Sequence, residues 1–291
     1  MQIDVFIDVK PRLGEGPTWD PDIDRFFFID SLGDRIWRCD ENGAEVRSWE
    51  VPGHIGSMAL RKNGGAILAL DSGFHEFDFE TGEVNLLVDP EREHTGTRLN
   101  DGKIDGVGRF ICGSMDMQEE APTGSLWRLD SDFSIARLDS GIICSNGPCW
   151  SPAGDTLYFA DSFRGMIFAY DYDLSTGDVS AKRPWVKVDG SRGGAPDGAT
   201  VDEEGYVWSA TVFDGRIFRY APDGTVDRIV ELPVCKTTSV AFGGPDLDIL
   251  FVTSMAVPPL PKYPGDGPLR GSVFAVRGLG VRGLPEPKFA G

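Results

Sequence analysis

Apolar and polar positions along this chain alternate within short runs, and the runs themselves recur. A polar residue and a small one lead into a short apolar run; a Pro/Gly/Asp turn follows, then an aromatic and β-branched strand. One copy reads Ser145-Asn146-Gly147-Pro148-Cys149-Trp150, turns at Ser151-Pro152, and continues as Thr156-Leu157-Tyr158-Phe159-Ala160-Asp161. The second runs begin near Phe26, Ala66, Arg109, Thr156, Tyr206 and Ile249. That spacing of roughly 45 residues is the period of propeller blades.

A third run, usually opening on glycine, follows each second one, as in Gly165-Met166-Ile167-Phe168. Segments between copies such as Glu45-Val46-Arg47-Ser48-Trp49 supply a fourth. Apolar stripes of helical period are essentially absent. Four antiparallel strands repeated six times describe an all-β fold, a six-bladed β-propeller. One blade cannot bury its own faces, so neighbours must supply its core. Residues 2–8 alternate like a strand and are expected to complete the last blade. No linker-like tract interrupts the repeat, so residues 1–291 are expected to form a single propeller domain.

Composition narrows the function classes. Thirty-seven glycines and twenty prolines suit an all-β chain with many turns. A net charge of -18, with no basic cluster interleaved with aromatics, argues against nucleic acid as a partner. The acidic surface is read as a source of solubility. Five cysteines lack C-x-x-C spacing, so buried free thiols are expected. The N-terminus shows no basic region followed by a long apolar run, and no apolar stretch reaches membrane-spanning length. A cytoplasmic protein without membrane partners is expected; its oligomeric state is open.

The leading polar residue is what varies between copies. Glu15, Asn100, Asn146 and Asp197 each stand five residues ahead of a turn residue, and Ser57 and Ser239 share that offset. First strands of propeller blades line the central channel, so these positions are expected to converge there. Glu15, Asn146 and Asp197 offer two carboxylates and an amide carbonyl, an oxygen set suited to a hard divalent cation. Three protein ligands would leave positions open for water and substrate. None of His54, His75 and His94 precedes a first strand, so a histidine-based zinc site is poorly supported. Asn-Gly and Asp-Gly are also ordinary turn dipeptides; recurrence at one register is what favours a site. The strand-ending acids Asp30, Asp71 and Asp161 are expected to bind turn amides.

The motifs Leu13-Gly14-Glu15-Gly16-Pro17-Thr18-Trp19, Arg98-Leu99-Asn100-Asp101-Gly102-Lys103, Ser145-Asn146-Gly147, Pro196-Asp197-Gly198, Lys236-Thr237-Thr238-Ser239 and Gly278-Leu279-Gly280-Val281 occur in this order. They resemble the SMP-30 (regucalcin) and gluconolactonase family over nearly the whole chain. The resemblance implies a six-bladed propeller holding one divalent cation, calcium, zinc, manganese or magnesium, on Glu15, Asn146 and Asp197. It also implies substrate contacts from Arg98 and Asn100, and hydrolysis of sugar lactones. A substrate-contacting glutamate of some members counts onto Gln118 here, with Glu119 and Glu120 next to it. Asp197 is then the candidate general base. Phosphotriester hydrolysis on the same cation and a non-catalytic, metal-binding propeller are the alternatives.

Overall fold

Alternate side chains of a single strand serve two different blades. In Arg25–Asp30, Phe26 and Phe28 pack with Phe251 and Val273 of the last blade, while Phe27 and Ile29 pack with Met58, Leu60 and Leu68 of the second. With both faces buried, the strand reads as an unbroken Phe-Phe-Phe-Ile run instead of alternating apolar with polar. Each such phenylalanine contributes about 1.5–3 kcal/mol relative to an exposed one.

The computed structural model describes residues 1–258 and 266–291. It is a six-bladed β-propeller of six four-stranded antiparallel sheets. The expected second strands are found at Arg25–Asp30, Ala66–Leu70, Phe110–Asp116, Thr156–Asp161, Val207–Val212 and Ile249–Ser254, at or next to the starts read from the sequence. Buried apolar clusters lie between neighbouring blades, as where Trp208 and Ile217 of the fifth meet Phe242 and Phe274 of the sixth. Gln2–Ile7 pairs antiparallel with Val273–Arg277, so the N-terminal strand completes the last blade, as expected, and closes the ring.

Each first strand touches the first strands of both neighbours, and the six together surround the channel. Their C-terminal ends are crossed by the chain's last residues. Phe289 exchanges backbone hydrogen bonds with Leu60 and Lys62, Ala290 donates to Gly108, and Glu286 pairs with Lys103 at 2.7 Å. The N-terminal ends, where the leading polar residues stand, face the other way. Cys39, Cys112, Cys144 and Cys149 are buried free thiols. Cys235 departs from that expectation and is exposed, because it sits in the bend before a first strand. Among the described residues, no helix is long and apolar enough to cross a membrane.

Candidate functional site

A local irregularity turns the leading residues toward the channel. In every first strand the antiparallel register shifts at or beside the lead: between Glu15 and Thr18, Ile55 and Ser57, Leu99 and Gly102, Asn146 and Cys149, Pro196 and Ala199, and Thr237 and Val240. Such bulges re-aim a side chain and end the regular pairing. The acids closing the second strands hold the approach to the leads, as expected. Asp30 accepts from the amides of Arg12 and Leu13, and Asp161 from those of Ile143 and Cys144.

Glu15, Arg98, Asn100, Asn146 and Asp197 line one cavity. Glu15, Asn146 and Asp197 are only 8%, 5% and 6% exposed. The amide of Asn146 is oriented from both sides: its Oδ1 accepts from Asn100 Nδ2 at 3.1 Å, and its Nδ2 donates to Ser162 Oγ at 2.8 Å. Asn100 Nδ2 also donates to the Ser145 carbonyl at 2.8 Å, and its Oδ1 accepts from Arg98 Nη1 at 2.7 Å. Arg98, Asn100, Asn146 and Ser162 therefore form one hydrogen-bonded chain. Ser57 and Ser239 are not among the residues lining this cavity: Ser57 Oγ donates to the Asn100 carbonyl, and Ser239 lines a different cavity, as Asp101 does.

Neither of the two carboxylates here forms an ion pair among the described residues, and the Arg98 charge offsets only a small part of what raises Glu15. Glu15 receives only the Gly16 amide, at 3.4 Å, and Asp197 that of Gly198. Burial, then the charges of Asp197 and Asp101, push the Glu15 carboxyl well above its usual range. Burial, then Asp101 and Glu119, do the same to Asp197. Asp101 is held apart by the Gly102 and Gly147 amides. Buried charges of one sign need a counter-charge or protons. With the Asn146 carbonyl oxygen beside them, the two carboxylates make a donor set that fits a hard divalent cation. Among the described residues no cluster of three or more His, Cys, Asp or Glu side chains is gathered for a metal, so the amide is essential to this reading.

The rest of the wall is largely apolar and includes Leu13, Met115, Phe163, Phe213 and Met255. Sequence reasoning missed these residues and Ser162, because they sit outside the repeated column. Gln118 is exposed and is not among the lining residues, whereas Glu119 is. The carboxylate of Asp116 accepts from the amides of Glu120 and Ala121, and the Asp116 carbonyl from that of Glu119. This turn puts Glu119 at φ 60 and aims it, not its neighbour, at the cavity.

A family model described as "SMP-30/Gluconolactonase/LRE-like region" matches residues 13–256. Regucalcin of Xenopus laevis is 35% identical over 297 residues, covering 100% of this chain and 99% of that protein. The solved structure of a luciferin-regenerating enzyme superposes with a TM-score of 0.91 at 30% identity, covering 97% of this chain and 96% of that one. A calcium-binding protein, regucalcin, from Agrobacterium tumefaciens superposes with a TM-score of 0.89 at 27% identity, covering 97% and 95%.

Proposed function

This chain belongs to the SMP-30/gluconolactonase/LRE-like family, and on that premise we propose that it hydrolyses a sugar lactone to the aldonic acid with a divalent cation at the channel mouth. The family supports a lactonase-type activity; the cation and the sugar are this reading's own additions. One observation carries it: two buried carboxylates, neither in an ion pair among the described residues, share a single cavity with a pre-oriented amide.

Glu15, Asn146 and Asp197 would hold the cation through oxygen. Bound there, it would supply Lewis-acid polarisation of the lactone carbonyl. A carboxylate oxygen of Asp197 accepts the proton of the water that adds to that carbon, and returns it to the ring oxygen as the C–O bond breaks. Burial raises the basicity of Asp197 and suits it to that role. Arg98 Nη1 is engaged with the Leu99 carbonyl and Asn100, so its remaining N–H groups are the ones left for substrate hydroxyls. Both donors of Asn100 are used and its Oδ1 already accepts from Arg98, which leaves the second lone pair of that oxygen to accept from a hydroxyl. Glu119 stands at the same cavity and would contact the sugar where Gln118 does not reach.

The apolar wall of Phe163, Phe213 and Met255 gives phosphotriester hydrolysis, with its less polar substrates, a second place. Assaying pentono- and hexonolactones beside a phosphotriester panel, each with and without chelator, decides. Lactone turnover that disappears on chelation and returns with added cation is the expected result. Turnover indifferent to chelation would remove the cation from the reaction.

A further inference from the structure

A second cavity, of about 1030 Å³, opens between the first and second blades. It is lined by the Lys62–Asn63 turn and Lys288, so it lies toward the end crossed by the C-terminal residues. It shares no lining residue with the candidate active site. One wall is a row across the first blade: Phe27 faces Arg38, and Arg38 faces Arg47 on the next strand.

Like charges directly opposite each other on neighbouring strands repel. Here neither guanidinium has an ion pair or hydrogen bond among the described residues, and the buried Nε of Arg38 has no acceptor. Both stack on Trp49, with Cζ 5.6 Å (Arg38) and 5.4 Å (Arg47) from the ring centroid. Trp49 is itself fixed by donating to the Phe79 carbonyl at 3.0 Å. Burial, then the charges of Arg47 and Arg25, lower the pKa of Arg38. Glu45, whose charge acts on Arg38, pairs with Arg25; of the carboxylates lining the cavity, Glu76 pairs with Arg61, Asp20 with Lys288, and Asp78 accepts from the Glu80 and Thr81 amides. Glu80 and Glu83 stand at the exposed rim. In a chain of net charge -18, two opposed and unpaired guanidiniums are an electrostatic arrangement that a bound anion relieves. Their planar donor forks match phosphate oxygens, and exposed Lys62 adds a further positive charge.

We propose that this inter-blade cavity is a second ligand site, taking a small phosphate-bearing anion between Arg38 and Arg47. It does not depend on the lactone reading. The test is a calorimetric titration of inorganic phosphate into the full chain at low ionic strength with chelator present. Saturable binding is expected, weakened by about tenfold or more in Arg38→Gln and in Arg47→Gln, because each removes one partner of a charge pair. Arg98→Gln, at the other cavity, should bind as the wild type does. Circular dichroism checks the fold, and exposed Arg47 carries the test if Arg38→Gln fails to fold. Absence of saturable binding, equal binding in the folded glutamine variants, or loss confined to Arg98→Gln would overturn the proposal.

Discussion

Asn100 donates its side-chain amide to Asn146 across 3.1 Å, joining two blades and fixing the Asn146 amide in the cavity that Glu15 and Asp197 also line. Ser162 completes the arrangement at 2.8 Å from the other end of the same amide. Groups that orient a ligand matter nearly as much as the ligand itself: their loss typically costs about 10- to 100-fold in metal affinity. Ser162→Ala should therefore weaken calcium binding by about tenfold while leaving the fold intact. Glu15→Gln and Asn146→Ala, which alter the donors directly, should weaken it more. Calorimetric titration that finds all three variants equal to wild type would dissolve the proposed site.

In the proposed reaction Asp197 combines two duties, and substitution by Asn separates them. The amide keeps an oxygen for the cation but cannot take a proton. With excess cation restoring occupancy, kcat of Asp197→Asn should remain about a hundredfold or more below wild type. Recovery of near wild-type turnover would leave Asp197 as a ligand alone and move the base to Glu15.

On the proposed reading, protons and cation compete for the same carboxylates. Glu15 and Asp197 have folded pKa values raised above their ordinary 4.5 and 3.8. The native state thus holds protons that the unfolded chain has released. The stability they contribute is complete below those ordinary values and declines as pH rises through the folded ones. Chelated protein should accordingly lose thermal stability with rising pH above the ordinary carboxylate range. The Glu15→Gln/Asp197→Asn double variant should lose less over the same range. Calcium should stabilise the wild type more at neutral than at acid pH. Melting curves with parallel pH dependence in both proteins would contradict this assignment.

Gly147 sits at φ 55, and a Cβ there would lie 2.7 Å from the Asp197 carbonyl oxygen. Only glycine allows the Asn146 bulge to approach the next blade this closely. Gly147→Ala should destabilise the fold by about 1–3 kcal/mol and loosen calcium binding, because Asp197 must move. A melting temperature and calcium affinity both at wild-type values would show that the contact is relieved without cost.

The repeat, the strand positions and closure by residues 2–8 were legible in the sequence, because burial on both faces writes itself as contiguous apolar runs such as Phe26-Phe27-Phe28-Ile29. The column holding Glu15, Asn100, Asn146 and Asp197 was legible for a related reason: equivalent offsets in equivalent strands reach the same end of one channel. Which of these side chains share a cavity was decided only by the bulges and by contacts across blades. Ser57 and Ser239 hold the same offset yet go elsewhere, while Ser162 enters from a 3-10 turn outside the column. The exposure of Gln118 and the inward aim of Glu119 depend on a turn nucleated by Asp116, a conformation that residue counting does not contain. The opposed pair Arg38 and Arg47 is likewise a matter of strand register. Periodicity records what repeats along the chain; a site is made of what differs between repeats, and only packing brings those differences together.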